Sequence, residues 1–110
     1  MPAERVIHKT GLATDDIRQQ VDYFLQKAGI PVAMRFIDNA ERAFEQIAAM
    51  PKIGPLLGLD ELPYEDTRRW HIEGFDRLII LYRETQDGIE VIRVLHSSRN
   101  IVELLRDDPE

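Results

Sequence analysis

Cysteine is absent from all 110 residues, so neither a disulfide framework nor a thiolate metal site is available. The three histidines, His8, His71 and His96, lie far apart and share no ligand spacing, so neither a metal nor another cofactor is expected. Long apolar runs are missing as well. The longest, Leu78 to Tyr82, has five residues. That is too short for a signal-peptide core or a membrane span, so the expectation is a cytoplasmic chain with no membrane partner. Positive charge is also scarce: 14 Lys and Arg stand against 20 Asp and Glu, a net charge of −6. Counterion release on nucleic acid needs clustered cations, so no stable direct nucleic-acid binding is expected of the surface as a whole.

What is present is enough for one core. A hydrophobic content of 44% over 110 residues fits a single domain spanning 1–110. Residues 4–10 are short and rich in β-formers, and Gly11 follows them, which reads as a first strand. Thr14 can cap a helix, and Asp15 and Asp16 place negative charge at its positive end. Ile17, Val21, Phe24, Leu25 and Ala28 then recur at helical spacing, which predicts a helix over 15–28 that Gly29 and Pro31 end. Ala33, Phe36, Ile37, Ala40, Phe44, Ile47 and Ala48 form the stripe of a second helix over 33–49, which Pro51 stops. A connection this short makes the two an antiparallel hairpin.

Residues 51–66 carry three prolines and two glycines and read as a loop. Strands are predicted near 67–72, 77–83 and 89–95, with turns at Glu73-Gly74 and Asp87-Gly88. A last amphipathic turn or helix runs from about Arg99 to Arg106. The predicted class is α+β: a helical hairpin on an antiparallel four-stranded sheet, with a short C-terminal helix. In strand 77–83, Leu78, Ile80 and Tyr82 share one face, and Arg77, Ile79, Leu81 and Arg83 share the other. Strand 89–95 sets Ile89, Val91, Arg93 and Leu95 against Ile92 and Val94. Both faces are apolar at their centres, yet two substantial helices cover only one. Either the tail folds over the second face or a partner segment does.

Several stretches resemble the ParE/RelE superfamily of toxins from type II toxin–antitoxin systems, which includes plasmid stabilisation proteins. In the helical half these are Asp16-Ile17, Tyr23-Phe24, Ala33-x-Arg35-Phe36 and Ala43-Phe44-x-x-Ile47, with Pro51 and Gly54. In the second half, Arg68-Arg69-Trp70-His71-Ile72 and Gly74-Phe75-x-Arg77-Leu78-Ile79-Ile80-Leu81-Tyr82-Arg83 resemble the family's central hairpin. The run from Ile89 to Asn100 resembles its last strand, ending in a His-small-x-Arg-Asp/Asn signature at His96, Arg99 and Asn100. The resemblance covers about residues 14 to 103. It implies a βααβββ fold, neutralisation by a cognate antitoxin whose C-terminal segment wraps the toxin, and one of two activities. RelE-type members cut messenger RNA on the ribosome with basic residues and a C-terminal tyrosine. ParE-type members bind DNA gyrase and poison it without chemistry of their own.

Carried over residue by residue, the RelE pattern is incomplete. Arg77 matches an arginine after a Gly-aromatic pair, although Asp76 intervenes, and Arg99 matches the arginine after the last strand. Arg69 and His71 stand where RelE-type members project lysines. No tyrosine follows Tyr82, so the group that would transfer protons at the 2′-hydroxyl is missing unless His71 or His96 supplies it. Trp70, beside two arginines, could stack on a base, but half-buried strand packing is the plainer reading.

The expectation is therefore a ParE-like, non-enzymatic toxin with no catalytic residue. Arg77, Ile79, Leu81 and Arg83 would bind the antitoxin. Arg69, Trp70, His71, Arg77, His96 and Arg99 would form a target-binding or residual RelE-like site. A ribosome-dependent endoribonuclease and a non-toxic antitoxin-binding relic are the alternatives. Homodimer and toxin–antitoxin heterotetramer both remain open.

Overall fold

The computed structural model describes residues 5–58 and 64–107. In chain order these form β1 (Val6–Lys9), α1 (Gly11–Lys27), α2 (Ile30–Ala49), β2 (Arg68–Ile72), β3 (Phe75–Glu84), β4 (Gly88–His96) and α3 (Ile101–Asp107). The α+β order is the one the periodicities imply. One pairing differs. The sheet order is β1-β4-β3-β2, and β1 runs parallel to β4 while the other two pairs are antiparallel. The wholly antiparallel sheet expected above is corrected to a mixed one. Turn signals specify only consecutive strands, whereas β1 meets the last strand, and its direction is set by the helices between. Gly88 permits the meeting, since a Cβ there would run into the Val6 backbone.

The first helix begins at Gly11, ahead of the expected position 15. Thr10, not Thr14, is its cap: the Thr10 hydroxyl accepts from the Ala13 N–H at 3.0 Å and donates to the Ile92 carbonyl at 2.8 Å. One side chain thus starts α1 and ties it to β4. Gly29, at a φ of 94° that favours glycine, turns the chain into α2, and Pro31 sits in the first turn of that helix. An N–H has no intrahelical partner there, so proline is tolerated and does not act as a stop.

The helical hairpin covers one sheet face. Phe36, Phe44 and Ile47 of α2 are fully buried with Ile80, Tyr82, Ile89 and Val91. Phe24, Phe36 and Phe75 pack at centroid distances of 5.2 to 5.5 Å. The second face is not open. Ile79, Leu81 and Leu95 form a separate cluster under Leu105 of α3, with Leu57, Tyr64, Ile92, Ile101 and Leu104 packed against it. Strict alternation in β4 also fails. The register slips so that Leu81 faces Arg93 while Tyr82 faces Val91, leaving Ile92 as an extra residue that joins the second cluster.

Candidate functional site

The sequence-predicted site residues divide between two regions. Arg77, His96 and Arg99 line one open cleft of about 580 Å³, together with Gln20, Tyr23 and Phe24 of α1 and Asp76 at the start of β3. Trp70 and His71 line a second cleft of about 370 Å³ against Asn39, Arg42 and Gln46 of α2. Arg69 lies exposed on β2, opposite Leu81 in the register. The turn at Glu73-Gly74 lies between the clefts: Gly74 lines the first and Glu73 the second. The six residues are therefore not one constellation.

Local bonding fixes the two histidine rings in opposite senses. The His96 Nδ1 accepts from the Ser98 backbone N–H at 3.2 Å, with the Ser98 hydroxyl at 2.7 Å from the same atom. A backbone N–H can only donate, so in the neutral ring the proton sits on Nε2. The His71 Nδ1 lies 2.9 Å from the Asp76 carbonyl, which can only accept, so its proton sits on Nδ1. Trp70 is half-buried, with its indole N–H donating to the Gln46 side chain at 3.2 Å. That bond favours the packing reading over base stacking.

Tyr23 is the residue that sequence reasoning missed. It is 55% exposed and lines the same cleft as His96 and both arginines. The apolar spacing of α1 gives Tyr23 no role, because only the tertiary fold brings the C-terminal half of α1 to the end of β4.

The residues expected to meet the antitoxin are distributed differently from the expectation. Ile79 is 6% exposed and Leu81 is fully buried beneath the chain's own tail, so they are removed from the free surface. Arg83 is tied to Glu90 at 2.9 Å and approaches Asp66 at 4.0 Å. Arg77 remains exposed.

A further charged pair stands outside every predicted set. Asp16, read as a helix-end charge, instead receives Arg93 Nε at 2.8 Å, Arg93 Nη2 at 2.9 Å and the Val94 N–H at 3.0 Å. Both side chains are 11% exposed. This bidentate contact locks α1 to β4 and positions the wall that carries Tyr23. The Tyr82 hydroxyl performs a similar task at the far end of the sheet. It accepts from the Gly54 N–H at 3.0 Å and donates to the Pro51 carbonyl at 2.9 Å. Burial pushes its pKa up from the ordinary 10.0, with the Gly54 bond and Arg68 pulling the other way. Among the described residues no group of three or more His, Asp or Glu could hold a metal ion, and no helix is long and apolar enough to cross a membrane.

A helical hairpin on one face of a four-stranded mixed sheet, with Arg77 and Arg99 beside Tyr23 and His96 in a cleft at the sheet end, defines the class as an α+β domain. The family described as "ParE toxin of type II toxin-antitoxin system, parDE" matches residues 7–101. The chain belongs to the ParE toxin family. A solved structure titled "Chromosomal ParDE TA system from P. aeruginosa" is similar in fold, with a TM-score of 0.64 at 14% identity over 84% of this chain and 95% of that one. No curated protein matches the chain.

Proposed function

We propose that this chain arrests bacterial growth by binding and poisoning DNA gyrase, without cutting RNA, and that a cognate antitoxin neutralises it. The family match across residues 7–101 carries the reading. The two arginines of the cleft agree with it. RNA cleavage needs a base for the 2′-hydroxyl, cations for the phosphorane and an acid for the leaving oxygen. Arg77 and Arg99 meet only the second need, because arginine does not release its proton near neutral pH. Arg69 and His71 stand outside their cleft. Poisoning by binding needs none of this chemistry, and the exposed arginines then serve as anchors at a protein interface. The antitoxin partner follows from family membership and from the ParDE pair named in the fold relative.

The test is induction in a bacterium with time-resolved reporters. The DNA-damage response should rise before protein synthesis falls, and co-expression of the antitoxin should restore growth. Translation arrest as the first event would contradict the reading.

One observation favours a second reading, ribosome-dependent RNA cleavage. Tyr23 and His96 line the same cleft as Arg77 and Arg99, so two proton-transfer groups stand near two cations. If programmed ribosomes show message cleavage that Tyr23→Phe or His96→Ala abolishes, this reading replaces the first.

A further inference from the structure

The open cleft at the end of β3 and β4 gathers positive charge in a chain that is otherwise acidic. Arg77 and Arg99 line it against one carboxylate, Asp76, while the whole chain carries a net charge of −6. The backbone fixes where both arginines stand. The Ser97 N–H donates to the Arg77 carbonyl at 2.7 Å, and the Arg99 N–H donates to the His96 carbonyl at 3.0 Å. Neither arginine makes an ion pair among the described residues. His96 adds a third donor, because Ser98 engages its Nδ1 and the proton of the neutral ring is left on Nε2.

Beside these donors stands an aromatic surface. Tyr23 is exposed, and its ring meets Phe24 edge-on at a centroid distance of 5.7 Å. Phe24 is in turn packed against Phe36 and Phe75. The Tyr23 ring is therefore ordered before a ligand arrives, which lowers the entropy lost on stacking. The donor set selects the ligand. One guanidinium already satisfies a carboxylate in a bidentate pair, so two guanidiniums and an imidazole N–H exceed what a carboxylate needs. A phosphate monoester brings about three acceptor oxygens and about two negative charges. A long polyanionic strand fits less well, since strand binding draws on many clustered cations. The volume of about 580 Å³ suits a small molecule, whose sites span roughly 300–1,000 Å³.

We infer that this cleft is a site for a mononucleotide: Arg77, Arg99 and the His96 Nε2–H hold the phosphate, and the Tyr23 ring carries the base. The inference does not rest on the gyrase reading. Where both hold, nucleotide and gyrase compete for the same two arginines, so a bound nucleotide restrains the toxin.

The probe is adenosine monophosphate, titrated into the isotope-labelled full chain and followed by NMR. Amide shifts should move at Asp76, Ser98 and Arg99. Adenosine alone and inorganic phosphate alone should each bind roughly tenfold more weakly, the effect of losing one charge-assisted contact or one stacked base. Arg77→Ala and Tyr23→Ala should each weaken the mononucleotide by a similar factor, whereas Tyr23→Phe keeps the ring and should retain the affinity. Both side chains are exposed, so the fold should survive. Should a variant unfold, the shift map and the three probes on the unsubstituted chain still decide. Equal affinity for adenosine monophosphate and inorganic phosphate overturns the inference, as do shifts confined to other surfaces or folded variants that bind unchanged. A short oligoadenylate that binds more tightly than the mononucleotide also overturns it, by assigning the cleft to a strand. None of these results touches the gyrase reading, because the titration contains no gyrase and no ribosome.

Discussion

The two faces of one sheet are closed in different ways. On the first, α1 and α2 cover residues such as Ile80, Tyr82 and Val91, and the core includes the tilted stack of Phe24, Phe36 and Phe75. On the second, equally apolar side chains meet one seven-residue helix and parts of the 51–66 loop. The sheet itself is symmetric in its needs, so the asymmetry lies in what the chain spends on covering it. One face is closed by two long helices, whereas the other is closed by one short helix and residues of the loop.

The comparison can be broken most directly at Phe44, fully buried on the first face. Phe44→Ala should lower stability by about 3–5 kcal/mol, measured by urea unfolding, and should take both faces with it in one transition. The next effect is at the seam between α1 and β4. Asp16→Ala removes the carboxylate shared by the Arg93 guanidinium and the Val94 N–H, at a cost of about 3 kcal/mol for a nearly buried pair. Leu105→Ala, by contrast, should cost about 2 kcal/mol, and amide exchange should quicken in α3 while α2 stays protected. If Leu105→Ala instead loosens α2 as much as α3, the two faces are one cooperative unit and the contrast fails.

The smallest effect is at Tyr82, which joins the sheet to the loop. Tyr82→Phe loses the bonds to Gly54 and Pro51, about 1–2 kcal/mol. The raised pKa adds a pH signature. Burial favours the neutral phenol, so the unfolded chain ionises first, and stability should fall as pH rises past the ordinary 10.0 and through the raised value. Tyr82→Phe should remove that alkaline loss. A fall of the same steepness in both proteins would show that another group is responsible.

How much of this was legible in the sequence follows from the range of each signal. Both helices, the three hairpin-linked strands and the tail helix leave local marks, in apolar spacing and in turn residues. The direction of β1 does not, because its partner lies at the other end of the chain and no turn joins them. Asp16 was misread for the same reason. Beside Thr14 and Asp15 it looks like a helix-end charge, and only the fold brings Arg93 to it. At the candidate site, Arg77, His96 and Arg99 were legible because they flank strand ends. Tyr23 lies beside the apolar stripe of α1 with no local mark of a site, and Arg69, Trp70 and His71 were grouped with the others by proximity in sequence, although the turn at Glu73-Gly74 lies between the clefts.

The central functional claim is that this ParE-family chain acts by binding gyrase and performs no RNA chemistry. One paired measurement tests it: purified chain added to a gyrase supercoiling reaction and, in parallel, to programmed ribosomes carrying a defined message. The account predicts inhibited supercoiling or trapped cleavage complexes, with the message intact. Untouched supercoiling with codon-dependent cleavage of the message, abolished by His96→Ala or His71→Ala, would contradict it.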